Sequence, residues 1–200
     1  PLRHQMQPYL RQLEGASRVV GMHIRTDGDG KWRDPKRNNW TSIECMLDCA
    51  QRVADHSLAQ DHANVKYFIA SDSQKLKTLA RRKFGDALVM CEGQLVHMDR
   101  SPREQVKASM ALILMDHLIL SEHCTHLVLM HSGFGLSAGW RSLRPFILHP
   151  YRDRLCTTSQ GHWTWPSWCP LTYNVTYGTH FPYGRVLDPN LKYGWDDVLE

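Results

Sequence analysis

The sequence predicts an α/β domain built on a parallel sheet, followed by an irregular tail. Three observations carry this. Short apolar runs alternate with segments of helical periodicity, the pattern left by crossover connections between parallel strands. Three polar clusters, Arg25-Thr-Asp27, Ser71-Asp-Ser73 and His131-Ser-Gly133, each follow an apolar run, and such sheets bind ligands beyond the carboxyl ends of their strands. After His149 the alternation stops, and the chain carries four of its seven tryptophans and five prolines with little periodicity.

The elements follow in order. Leu2, Met6, Tyr9, Leu10 and Leu13 have helical spacing, and Gly15 ends that segment. Residues 18–24, Arg-Val-Val-Gly-Met-His-Ile, read as a buried strand that runs into the loop Arg25-Thr-Asp-Gly-Asp-Gly30. The stretch to Asn39 is charged and expected to be exposed. Thr41-x-x-Glu44 reads as a capping box, with Ile43, Met46, Leu47, Ala50, Val53 and Ala54 on one helix face. Residues 65–70 are the second strand, and Gln74 to Phe84 a helix closed by Gly85. Asp86 to Met90 reads as a short third strand. Ser101-Pro-Arg-Glu104 combines a cap residue, a first-turn proline and a glutamate three beyond the cap. The helix it starts reaches about Glu122 and is apolar nearly all round from Met110 to Leu120, so burial is expected. His126 to Met130 is a strand, Phe134 to Arg141 a helix and Pro145 to Leu148 a last strand. The domain expected over residues 1–150 is Rossmann-like, with helices on both faces of the sheet. Residues 151–200 are expected to pack on it through their aromatics.

Composition narrows the partners. The formal charge of +4 and pI near 8.8 suit an anionic small ligand and fall short of the concentrated basic face of a nucleic-acid binder. The 42% hydrophobic and 22% charged residues are ordinary for a globular domain. No apolar run reaches the roughly 18 residues of a membrane span. No charged-then-apolar leader follows Pro1, so any targeting segment is expected to have been removed or to lie upstream. The six cysteines form no Cys-x-x-Cys pair, which argues against structural zinc. Cys156 and Cys169 flank a Trp- and Pro-rich loop where a disulfide is plausible. The sequons Asn39-Trp-Thr41 and Asn174-Val-Thr176 add to an expectation of the secretory lumen.

The stretch His131 to Gly139 organises the functional reading. A strand delivers the chain to the sheet's edge, and Ser132 and Gly133 let the backbone approach a ligand. The helix that follows points unpaired N–H groups and a positive dipole end at it, the arrangement expected to hold the phosphates of a nucleotide sugar. The alternative is a plain strand-to-helix turn. Arg25 follows a buried strand, where its fork of donors suits a diphosphate; it could instead pair with Asp27 or Asp29 at the surface. His23 faces inward as pocket wall or as a satisfied core histidine. Asp72 caps the next helix, recognises a base or ribose, or does both. Asp116 stands in an apolar helix face, so it is either bound to something specific or turned outward. The chain has no P-loop, no complete dinucleotide fingerprint, no Gly-x-Ser-x-Gly elbow and no convincing metal-binding histidine pair.

Val20-Gly-Met-His-Ile-Arg-Thr-Asp27 resembles the His-x-Arg-x-Asp-type motif of GDP-fucose-dependent fucosyltransferases, the α1,2, α1,6 and protein O-fucosyl families. Asp116 to Gly135 is similar to their later motif of helix, strand and Ser-containing turn. Leu143 to Leu148 and the Pro166-x-x-Cys169 region resemble plant cell-wall members, and Ser71-Asp72 fits the intermediate donor loop. The resemblance, over about residues 18–150, implies one half of a GT-B fold that binds GDP-fucose. It implies inverting transfer to a glycan or protein hydroxyl, usually without metal or other cofactor, and a Golgi setting. Under it Arg25 holds the β-phosphate and neutralises the leaving GDP. His23, Asp27, Asp72 and Asp116 shape the donor pocket and serve the guanine and ribose, while Ser132, Gly133 and Phe134 present main-chain donors to the diphosphate. Asp29, with Asp34, lies in a loop that could reach an acceptor hydroxyl as general base. Thr26 stands where the family's second arginine falls, and the acceptor half is not in this chain. Those two departures keep open a non-catalytic domain that serves as a structural or interaction subunit, in the secretory pathway or in an organelle that imports it. A different nucleotide sugar is a further alternative.

Overall fold

A computed structural model describes residues 2–26, 28–29, 40–58, 64–96, 101–130, 132–143 and 146–149. One sheet contains β1 (Arg18–Ile24), β2 (Val65–Ser71), β3 (Leu88–Val89), β4 (His126–Met130) and β5 (Phe146–His149). Its order is β3-β2-β1-β4-β5, and every pairing is parallel. α1 (Leu2–Leu13) precedes the first strand, and the helices between the strands are α2 (Trp40–Leu58), α3 (Gln74–Phe84), α4 (Arg103–Leu118) and α5 (Gly133–Ser142).

β1 reads as a nearly continuous apolar run because both of its faces are covered. It pairs with β2 from Arg18↔Val65 to Ile24↔Ser71, and with β4 from Val20↔His126 to His23↔Leu129. Side chains alternate across the pleat. Val20, Met22 and Ile24 join Ile69, Val128 and Met130 under α2 and α3. Val19, Phe68, Ala70, Leu127 and Leu129 join Leu112, Met115 and Ala138 under α1, α4 and α5. The strand order reverses direction between β1 and β4, and a crevice at that point is where open α/β sheets place ligands.

The fold is the Rossmann-like α/β sheet expected, with local differences. The third strand shortens to Leu88–Val89, because Gly85 leaves α3 at φ 56° and residues 85–87 form a 3-10 turn. α2 already includes Trp40, so Thr41 lies within the helix and is not its cap. α4 begins behind Pro102 without a side-chain cap, and continues into a π turn over Ile119–His123. Its burial is one-sided: Leu112, Met115 and Asp116 face inward, and Met110 and Leu114 are exposed. No described helix is long and apolar enough to cross a membrane. The tail 151–200, both sequon asparagines, Cys156, Cys169, Asp27, Asp34 and His131 lie outside the described residues.

Candidate functional site

A cleft of about 210 Å³ opens at the carboxyl ends of the central strands. β1 contributes His23 and the following Arg25, and β2 contributes Ala70 and Ser71 with the following Asp72. Leu95 and Val96 close one side, Ile113 and Asp116 of α4 form a wall, and Phe134 of α5 completes it. Sheet topology thus gathers residues from five separate stretches of chain. Asp27 lies outside the described residues.

Asp72 pins the end of β1. Its Oδ1 accepts from the Thr26 backbone N–H at 2.7 Å and from Thr26 Oγ1 at 3.0 Å. Its Oδ2 is buried with no hydrogen-bond partner. The helix cap expected of Asp72 belongs to its neighbour. Ser73 Oγ accepts from Leu76 N–H at 3.0 Å and begins α3. Asp29 reinforces that cap. Its carboxylate accepts from Ser73 Oγ, from Gln74 N–H at 2.9 Å and from Lys75 N–H at 3.3 Å. A carboxylate on a helix N-terminus satisfies amides that lack intrahelical acceptors and meets the positive dipole end. Both Asp29 oxygens are therefore engaged, and Asp29 is not among the residues that line the cleft. The structure gives it a helix-capping role where the sequence suggested a general base.

His23 and α5 meet at the switch point. Ser132 caps α5: its Oγ accepts from Gly135 N–H at 3.0 Å and lies 3.2 Å from His23 Nδ1. The His23 and Phe134 rings stack at a tilt with centroids 4.8 Å apart. Gly135 permits the approach, since a Cβ there would stand 2.8 Å from His23 Nδ1 and 3.0 Å from the Met130 carbonyl oxygen. Burial holds the His23 pKa down at about 3, helped by the Arg25 and His117 charges, so the imidazole is neutral at physiological pH.

Asp116 points inward and is 3% exposed. Its Oδ1 has no hydrogen-bond partner. Burial raises its pKa to about 7, against the opposing Lys77 charge and a Cys91 thiol hydrogen bond. Lys77 is itself 5% exposed and donates from Nζ to the Cys91 carbonyl at 3.2 Å. The sequence reading missed Lys77 and His117. Lys77 lies on the inward Lys77–Ala80–Phe84 stripe of α3, a spacing that could have found it. His117 carries no such signal. Among the described residues no group of three or more His, Cys, Asp or Glu is placed to hold a metal.

No protein-family model matches the chain, and no curated protein matches it. Solved structures with some likeness include the α1,6-fucosyltransferase NodZ co-crystallised with GDP, at 15% identity and TM-score 0.49 over 74% of this chain and 43% of that one. NodZ soaked with GDP-fucose gives the same values. NodZ from Bradyrhizobium gives 16% identity and TM-score 0.45 over 68% and 40%. The chain spans less than half the length of these proteins. Likeness at this level assigns no function, and the fold rests on the sheet order described above.

Proposed function

We propose that the cleft binds the GDP moiety of GDP-fucose and that the chain is the donor-binding domain of a fucosyltransferase-like enzyme. The observation that carries this is the partnerless Asp116 oxygen in the cleft wall. A buried carboxyl oxygen without a donor costs free energy until something supplies one. Guanine offers N–H donors from N1 and N2 on one edge. Adenine offers only its N6 amino group there, and uracil only N3–H. The unpartnered Asp72 Oδ2 suits a ribose hydroxyl in the same way.

The other end of the ligand meets cationic and dipolar groups. Arg25 lines the cleft, and α5 begins beside it with the Gly133 and Phe134 amides. In an inverting displacement an acceptor hydroxyl attacks the anomeric carbon as the bond to the β-phosphate oxygen breaks. Negative charge grows on the leaving GDP, where Arg25 and the amides would stabilise it. Neutral His23 shapes the pocket without adding charge. The acceptor, a glycan or protein hydroxyl, would be held largely by structure beyond this chain. The proposed setting is the Golgi lumen, and the disulfide-bonded Cys45 suits an oxidising compartment.

One observation favours a second reading, binding without transfer. Thr26 is buried against Asp72 where the resembling family carries a second arginine. Radiolabelled GDP-fucose and the full-length protein separate the two readings by whether fucose is transferred.

Binding itself is tested by thermal unfolding. GDP at one hundred times its dissociation constant adds about 2.7 kcal/mol, which shifts Tm by roughly 5–10 °C at this chain length. Arg25→Ala is expected to abolish the shift. No shift at millimolar GDP overturns the binding reading, and equal shifts with UDP overturn the guanine assignment.

A further inference from the structure

The first turn of α5 is held from two sides, and only one of them is the sheet. On the sheet side stand His23 and the Ser132 cap. On the other side His117 projects from α4. Its ring meets Phe134 edge-on, with centroids 5.3 Å apart. Its Nε2 lies 3.0 Å from Ser137 Oγ. Ser137 has one hydroxyl proton, which it donates to the Phe134 carbonyl at 2.9 Å. Ser137 must then accept from His117, so the His117 proton sits on Nε2. The result is a directed chain from His117 N–H to Ser137 O–H to the Phe134 carbonyl.

That chain ends on the peptide group that sets the turn's direction. Gly135 N–H is engaged by Ser132 Oγ, and Leu136 N–H by the Ser132 carbonyl at 2.9 Å. Gly133 and Phe134 supply the amides the turn presents outward. Phe134 is clamped between two imidazoles, His23 at 4.8 Å and His117 at 5.3 Å. Tilting the turn would break both ring contacts and the hydrogen-bond chain together. α4 also carries Asp116, the preceding residue, into the cleft. One turn of α4 therefore fixes both ends of the site.

We propose that His117 is a positioning residue, which acts through Ser137 and Phe134 to aim the α5 amides at the ligand's diphosphate. This rests on the nucleotide reading of the cleft, with His117 predicted to touch no ligand atom. It follows that His117 governs the gain in affinity that phosphates bring, and leaves nucleoside affinity alone.

The test compares guanosine with GDP by calorimetric or NMR titration of the full 200-residue chain. The readout is the ratio of their dissociation constants. His117→Ala is expected to cut that ratio about tenfold, the size of one well-made charge-assisted hydrogen bond. Guanosine binding is expected to stay within about twofold. His117→Gln, whose amide N–H falls near the place of Nε2–H, is expected to restore most of the ratio. Ser137→Ala should mimic His117→Ala, and the double variant should add little, because both break one chain. An unchanged ratio in His117→Ala, or equal weakening of guanosine and GDP, overturns the proposal. Failure of His117→Gln to restore the ratio overturns the hydrogen-bond route. If the unsubstituted protein binds neither compound, the nucleotide reading itself fails.

Discussion

Asp116 and His23 face one cleft and ionise in opposite senses. Burial destabilises whichever form is charged, so it raises the carboxyl to about 7 and lowers the imidazole to about 3. The signs for stability then differ. Between the ordinary aspartate pKa of about 3.9 and pH 7, folded Asp116 keeps a proton that the unfolded chain has lost, and stability falls as pH rises. Between pH 3 and the ordinary histidine value of about 6.5, the unfolded chain holds a proton that folded His23 lacks, and stability rises with pH. Each slope amounts to about 1.4 kcal/mol per pH unit within its window. Denaturant titrations across pH 4–8 should show Asp116→Asn gaining on the unsubstituted protein as pH rises. His23→Gln should lose less than the unsubstituted protein on acidification. Curves that run parallel across that range would refute both assignments. Lys77→Met should raise the Asp116 midpoint further, since the lysine charge is what opposes burial there. The carboxylate was visible in the sequence as a charge in an apolar helix. Its partner was not, because Lys77 stands on another helix and acts on Asp116 only through the folded arrangement.

At the scale of elements, the two helices that start at the cleft are specified differently. α3 is capped by Ser73 and by Asp29, 44 residues away in sequence. Ser73→Ala should cost about 1 kcal/mol in unfolding free energy, the usual worth of such a cap. α5 depends on small residues. A Cβ at Gly135 would press on His23 and on the Met130 carbonyl, whereas one at Gly133 meets nothing within 4 Å. Gly135→Ala should therefore destabilise by about 1–3 kcal/mol despite its helix propensity. Gly133→Ala should be neutral or stabilising by up to about 1 kcal/mol. Equal effects in thermal melts would contradict the packing described. The same contrast explains what the sequence disclosed. α3, from Gln74 to Phe84, was readable to the residue because local signals mark both of its ends. Asp72 and Ser73 are adjacent cap-type residues, and local rules do not say which of them caps. The capping role of Asp29 was hidden for a related reason: it depends on the loop after β1 reaching the helix after β2.

At the scale of the whole molecule, strand order decides what a ligand can touch. Alternating elements foretold parallel pairing, but the order β3-β2-β1-β4-β5 comes from long-range packing, with α2 and α3 on one face and α1, α4 and α5 on the other. That order sets the ends of β1, β2 and β4 around one crevice and leaves the amino ends of the same strands on the opposite rim. Amide hydrogen exchange with and without GDP tests this directly. Tight binding slows every amide that exchanges only by global unfolding, wherever it sits. Amides that exchange by local opening respond only where the ligand or its contacts hold them. Local protection is expected at residues 24–26, 71–73 and 133–136, the stretches that border the cleft. Residues 14–17 and 124–125, near the opposite rim, are expected to gain no local protection beyond any global slowing. Protection confined to the opposite rim would place the ligand elsewhere on the sheet. A uniform slowing with no local excess at the carboxyl ends would mean that GDP stabilises the fold without occupying the crevice between β1 and β4.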